Sequence, residues 1–545
     1  MKTILLTCLF IVNTITIQAT EYHVGPNQSL TTIAAVPWDN LQAGDKIFIH
    51  WKSSPYKEKW VINAQGTANQ RIEIIGVNGP NDQQPIIDGD GATTPQNLDY
   101  WNETRSVIKI GGSSIPADGT PSYITLENLD IKSGHKNYHF TDDSGNMGTY
   151  DNNASAILIE KGQHIIIRNC TIHDSGNGLF IASSNGLTQH ILIEKNYIYG
   201  NGNVGRFYEH NTYTEATDII YQYNRFGPLR AGADGNNLKD RSAGLVVRYN
   251  WIEGGNRQLD LVDGDHSGDD SYHTTHVYGN ILIEPNGDGN SQIVHYGGDS
   301  GINSIYRKGD LYFYNNTVIS YRTGNTTLVR LSSMDETAHI FNNIIYTVAN
   351  GNRFAIIDGT GIANLNNNWL KSDWQDCHCN PSGSVHNLGN NISGTDPLFE
   401  DFMNQNYSPT QNSELVDHGD ALLSILLPSY NIIHQYIRHQ DFSNRVLSGT
   451  LDIGAYEFTD MTNGINIPNL DQIGIYPNPV KRQFTIDSKG KIFSLKIFST
   501  MGIEVKSIPS LNGATQIDVS NLQSGIFILQ LETVNGMELY KLVVE

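Results

Sequence analysis

Between about residues 120 and 370 one short pattern recurs: a stretch alternating apolar and polar positions, an Asn, then one or two further apolar positions. It reads Ile124-Thr125-Leu126-Glu127-Asn128-Leu129-Asp130-Ile131 and again Ile165-Ile166-Ile167-Arg168-Asn169-Cys170-Thr171-Ile172, and it returns around Asn196, Asn224, Asn250, Asn280, Asn316, Asn343 and Asn368. After a first gap of 41 residues the intervals are 27, 28, 26, 30, 36, 27 and 25. Period-two alternation with β-branched and aromatic residues predicts strands. A unit of this size cannot bury its own hydrophobic face, so the units must stack. Parallel pairing of equivalent strands from turn to turn then joins the inward Ile, Val, Leu and Phe into one core. Asn is expected at the corner, where it tolerates left-handed backbone angles and its amide bonds to the Asn of the next turn. A sandwich or propeller would show tight-turn pairs such as Asn-Gly at shorter, more even spacing, and these are sparse. The expected fold is all-β, a parallel β-helix.

Sequence outside the repeat extends this picture. Trp38-Asp39-Asn40-Leu41-Gln42-Ala43-Gly44-Asp45-Lys46-Ile47, with Pro85-Ile86-Ile87-Asp88-Gly89, resembles the opening of right-handed β-helix proteins that act on polysaccharides. Asp396-Pro397-Leu398-Phe399 and Asp452-Ile453-Gly454-Ala455-Tyr456-Glu457 resemble the closing segments of that superfamily. After a polar, Asn-rich stretch come Ile475-Tyr476-Pro477-Asn478-Pro479, a late strand around Ser524-Gly525-Ile526-Phe527, and Tyr540-Lys541-Leu542-Val543-Val544. This ordered set closely resembles the C-terminal sorting domain of the type IX secretion system, which implies a small β-sandwich, a Bacteroidetes-type bacterium and export to the medium or cell surface. At the other end, Met1-Lys2-Thr3 followed by apolar runs Ile4–Val12 and Ile15–Ala19 reads as a signal peptide. The expected organisation is therefore a signal peptide over 1–19, a β-helix over 20–459, a linker over 460–472 and a sorting domain over 473–545.

Composition narrows the partners. The 545 residues carry a net charge of -21, which argues against a nucleic-acid binder. No apolar run of 18 or more lies beyond the N-terminus, so no membrane span is expected. Beyond Cys8 of the signal peptide only Cys170, Cys377 and Cys379 remain, too few for a disulfide framework. Cys377-His378-Cys379 leaves a loop disulfide or free thiols open. The chain is expected to work as a monomer.

Against this acidic background, residues 225–257 hold six basic groups (Arg225, Arg230, Lys239, Arg241, Arg248 and Arg257) and three acids. Such a patch is suited to an anionic sugar. Asn236-Asn237-Leu238-Lys239-Asp240-Arg241-Ser242, continuing to Arg248-Tyr249-Asn250, resembles the catalytic region of the alginate lyase and chondroitinase B type of polysaccharide lyases. That resemblance implies Lys239 as the base taking the C5 proton of a uronic acid and Arg241 as the partner of its carboxylate. The family's next-rung Arg falls on Val262, with Arg257 five residues earlier as a substitute. His210 is a further acid–base candidate. Arg206, Tyr208, Arg230, Asn237, His295 and Tyr296 are expected to bind substrate. Asp263, Asp265 and Asp269 alternate like the start of a calcium loop, so Ca²⁺ is the expected cofactor, although Thr274 stands where a complete loop has Glu. The partner implied is an acidic polysaccharide cleaved by β-elimination. A glycan-binding accessory protein and a hydrolase using Asp260 with Asp263 or Glu209 are the two other readings.

Overall fold

The computed structural model describes residues 19–458 and, within 474–544, all but four short segments. Residues 1–18 of the expected signal peptide and the expected linker 460–472 lie outside the described residues. The chain divides into two compact units, Met1–Phe458 and Thr459–Glu545.

The first unit is a parallel β-helix built on three long parallel sheets of 13, 11 and 10 strands. Each middle turn gives one strand to each sheet. Thr217–Gln222, Arg225–Phe226 and Leu238–Asp240 are followed one turn on by Val246–Arg248, Trp251–Glu253 and Leu259–Leu261. Alternation sends Ile219, Tyr221, Val247, Leu238 and Leu259 inward into one core that runs the length of the coil.

The corner between the first two strands carries the Asn ladder. The Asn196 amide donates to Asn224 Oδ1 at 3.0 Å, and the chain of amides continues through Asn250, Asn280, Asn316, Asn343, Asn368 and Asn391. Each ladder Asn also bonds a backbone carbonyl of an adjacent turn, so its buried amide is satisfied. The left-handed position is the residue before the ladder, namely Lys195, Tyr223, Tyr249, Asn315, Asn342 and Asn367. Asn128 and Asn169 occupy that earlier position, and the ladder site after Asn169 is filled by buried Cys170. The expectation that the ladder Asn itself takes the left-handed angle is thus corrected by one residue.

In the C-terminal half, the chain after the last turns folds back over two of the three sheets. Leu426 and Ile432 cover Tyr249, Tyr278 and Tyr314 on the 13-stranded sheet. Tyr407, Tyr436 and Ala455 cover Trp251, Ile281 and Ile319 on the 11-stranded sheet. Burying each of these large side chains contributes about 1.5–3 kcal/mol. The outer face of the 10-stranded sheet is flanked instead by loops of the coil, and there the candidate site lies. Cys377 and Cys379 form a disulfide, and Cys170 is a buried free thiol.

The second unit consists of two antiparallel sheets of three and five strands around a core that includes Phe484, Ile497, Leu529 and Leu542.

Candidate functional site

The site is built by register. In the 10-stranded sheet Phe180 pairs with Tyr213, Tyr213 with Lys239, Lys239 with Asp260, Asp260 with His295 and His295 with Arg330. These residues form one column on the outer face, while their neighbours Leu238, Leu259 and Val294 point into the core. The column floors a cleft of about 690 Å³. Phe207, Tyr208 and His210 from the loop between Tyr199 and Thr212 line it, as do Asp299 and Tyr306 from the loop after Tyr296.

Lys239 Nζ donates to Asp260 Oδ2 at 2.6 Å and to Asp299 Oδ2 at 2.5 Å. Arg241 Nη2 donates to the same Asp299 carboxylate at 2.9 and 3.2 Å, and its Nε donates to Tyr213 Oη at 2.8 Å. One carboxylate is therefore held between an ammonium and a guanidinium, the arrangement such groups use to bind an anion. Asp299 itself is fixed through its backbone, whose N–H donates to Asp263 Oδ1 at 2.6 Å.

Asp260 is the hub beneath. It accepts from the Asn236 amide at 2.7 Å, meets His295 Nδ1 at 2.7 Å and lies 3.7 Å from Arg257 Nη1. Burial would raise its carboxyl, but Lys239, His295 and Arg257 hold it well below the usual carboxylate range. Asp299 is likewise lowered, because Lys239 and Arg241 outweigh its burial. His210 is pushed down to about 3 by burial, with Lys239 adding to the effect. Its neutral ring accepts from the Asn236 N–H through Nδ1 at 2.8 Å, which leaves the proton on Nε2. Burial also lowers His295 despite Asp260 beside it.

Of the residues singled out from sequence, Lys239, Arg241, Arg257, His210, Tyr208 and His295 come together in this cleft. Arg206 lies in an adjoining cleft, paired with Glu209 at 3.0 Å. Three expected binding residues lie elsewhere. Tyr296 follows His295 and so points inward, fully buried. Asn237 is also fully buried and ties the coil together through Asn211, Gly227 O and Glu253 O. Arg230 turns to Asp174 at 2.8 Å and the Gly202 carbonyl. The basic run is not one patch either: Arg225 lies over Tyr197 on the 11-stranded sheet and Arg248 binds Gln222 on the 13-stranded sheet.

The three aspartates of the expected calcium loop do not converge. Asp263 accepts from the loop at Asp299, Asp265 accepts from Ser183, and Asp269 caps Ser271. Among the described residues no group of three His, Cys, Asp or Glu is arranged to hold a metal ion. The three aspartates are thus not arranged as a calcium loop. Asp299, Tyr213 and Arg330 carry no signal in the sequence, Asn236 appears there only within the Lys239 motif, and Asp260 stands out by its place after Asn250 and as a member of a carboxylate pair.

Comparison with known proteins bears on the tail and on the fold. Residues 474–545 match the family model of the secretion system C-terminal sorting domain, so the chain carries a type IX sorting tail, which supports a secreted or cell-surface location. No curated protein matches the chain. Among solved structures it is similar to a pectate lyase, at 11% identity and TM-score 0.43, covering 82% of this chain and 98% of that one. It is similar also to an alginate lyase from Paenibacillus sp. str. FPU-7, at 13% identity and TM-score 0.37, covering 65% and 94%. A lacto-N-biosidase from Eubacterium ramulus matches at 13% identity and TM-score 0.38, covering 69% and 68%. At these identities the likeness is one of fold and selects no activity. No helix among the described residues is long and apolar enough to cross a membrane.

Proposed function

We propose that this protein binds a uronic-acid polysaccharide in the Lys239 cleft and cleaves it by β-elimination. The observation that carries the reading is the Asp299 carboxylate lying between Lys239 Nζ and the Arg241 guanidinium. A uronate carboxylate taking that position from Asp299 is neutralised by the Arg241 guanidinium, which makes the adjoining C5 proton removable. Lys239 Nζ then lies next to C5 and takes that proton. The C5–H electron pair becomes the C4=C5 double bond as the C4–O bond breaks, and Tyr213, whose Oη accepts from Arg241 Nε, donates its O–H proton to the leaving oxygen. Between turnovers Lys239 passes the C5 proton to solvent and Tyr213 takes one back.

Hydrolysis by paired carboxyls needs one of them protonated. Asp260 and Asp299 are both held below the usual range, and Glu209 is buried against Arg206. The Asp263 carboxylate is occupied by the Asp299 loop. A binding protein without turnover is the second reading, favoured by Val262 at the position where the lyase family has Arg. The test is to incubate the purified chain with alginate, polygalacturonate, ulvan and glycosaminoglycans. Release of product with the ultraviolet absorbance of a conjugated double bond supports elimination. Binding with no such product on any polymer replaces it with the accessory reading.

A further inference from the structure

The Lys239 cleft continues into a second cleft of about 580 Å³, and Tyr208 and Tyr213 line both. The two halves differ in charge. Around Lys239, four cations (Lys239, Arg241, Arg257 and Arg330) face two carboxylates, Asp260 and Asp299. In the adjoining half the cation on the lining is Arg206, held by Glu209 at 3.0 Å, and the Asp151 carboxylate lies on the same lining.

What remains there is apolar and amide surface. Phe180 and Tyr213 stack at 5.1 Å to make a ring strip along the floor, Tyr208 stands 61% exposed at the wall, and Asn152 and Asn153 are exposed at the edge. A second uronate in this half would give up part of its hydration to a surface with no unpaired cation, at a net cost. An uncharged sugar would set its C–H surface against the exposed Tyr208 ring and the edges of the stacked Phe180 and Tyr213 rings, and turn its hydroxyls to the amides.

We infer that the Phe180 half of the groove is a subsite for an uncharged sugar ring, so that the preferred ligand is a heteropolymer in which a uronate adjoins a neutral sugar. The inference rests on the uronate reading of the Lys239 cleft and names the substrate class that reading leaves open.

The test is affinity of the purified chain, by calorimetry, for an alternating polymer of uronate and neutral sugar (rhamnogalacturonan oligosaccharides) against homopolyuronates (oligogalacturonate and oligoalginate) of equal length. The alternating class is expected to bind about tenfold tighter, the scale of one aromatic contact. Phe180→Ala removes that preference, and Phe180→Leu controls for packing. Asn153→Lys, at an exposed position, supplies the missing cation and raises homopolyuronate affinity several-fold. Equal or tighter binding of homopolyuronates by the wild type, or variants that shift both classes alike, overturns the subsite. If the preference holds but no unsaturated product forms, the elimination chemistry fails and the subsite stands.

Discussion

Lys239 and Asp240 are neighbours on one three-residue strand, both charged and both in ion pairs, yet they belong to different parts of the molecule. Asp240 points inward, fully buried, and meets the buried Arg307 at 3.4 Å. Arg307 also donates to the carbonyls of Val262 and Ser242, and Asp240 accepts from Thr214 and Ser242. Every atom of that cluster is spent on holding adjacent turns together. Lys239 points outward, and one of its two carboxylate partners, Asp299, sits on a loop and is one-third exposed. A single pleat separates a sealed structural pair from a cluster open to an anion. Charge density along the sequence therefore says little about function until the side of the sheet is known.

The comparison breaks first at the sealed pair. Arg307→Ala leaves Asp240 buried without its cation, and the expected loss is about 3–5 kcal/mol of unfolding free energy, read by denaturant titration. A loss under about 1 kcal/mol would remove the distinction. At the open cluster, Arg241→Ala is expected to weaken uronate binding by roughly 10–100-fold, the worth of a charge-assisted hydrogen bond, with a much smaller change in unfolding. If the unfolding midpoint collapses as it does for Arg307→Ala, Arg241 is a structural residue.

The smallest effect is one of pH. His210 is buried neutral, and its folded pKa of about 3 lies below the ordinary value for His. A depressed pKa contributes stability that is complete above about pH 6.5 and is lost as pH falls toward 3. By pH 5 the wild type should have lost about 2 kcal/mol of this contribution, and His210→Gln should lack that part of the acid slope. An unchanged slope would mean that the imidazole gains a proton without leaving its site.

Much of the fold was legible because it depends on local periodicity. The recurrence around Asn196 to Asn368 announced stacked strands, and the ordered motifs after residue 474 announced the sorting domain. The left-handed corner was misplaced by one residue, since Asn at 128 and 169 hid the shift of the ladder to the next position. The site was legible only in part. Lys239 and Arg241 stand out by motif, and His295 by its offset. Tyr213, Lys239, Asp260 and His295 form a column, but they fall 17, 15, 10 and 15 residues after their ladder Asn, because the loop between second and third strands changes length at every turn. Asp299 comes from a loop 60 residues beyond Lys239, and only the coil brings them together. Arg225 and Arg248 carry the same charge as Lys239, yet the corners of the turn put them on other sheets.

The most direct measurement of the account is turnover of Lys239→Arg. Arginine keeps the positive charge and can donate to Asp260 and Asp299, but it cannot give up its proton to act as a base. The variant is expected to fold, to bind uronate oligosaccharide still, and to lose about 10²–10⁴-fold in the release of unsaturated product. Turnover at the wild-type rate would contradict it, leaving Lys239 as a charge that holds the substrate and placing the base elsewhere in the cleft.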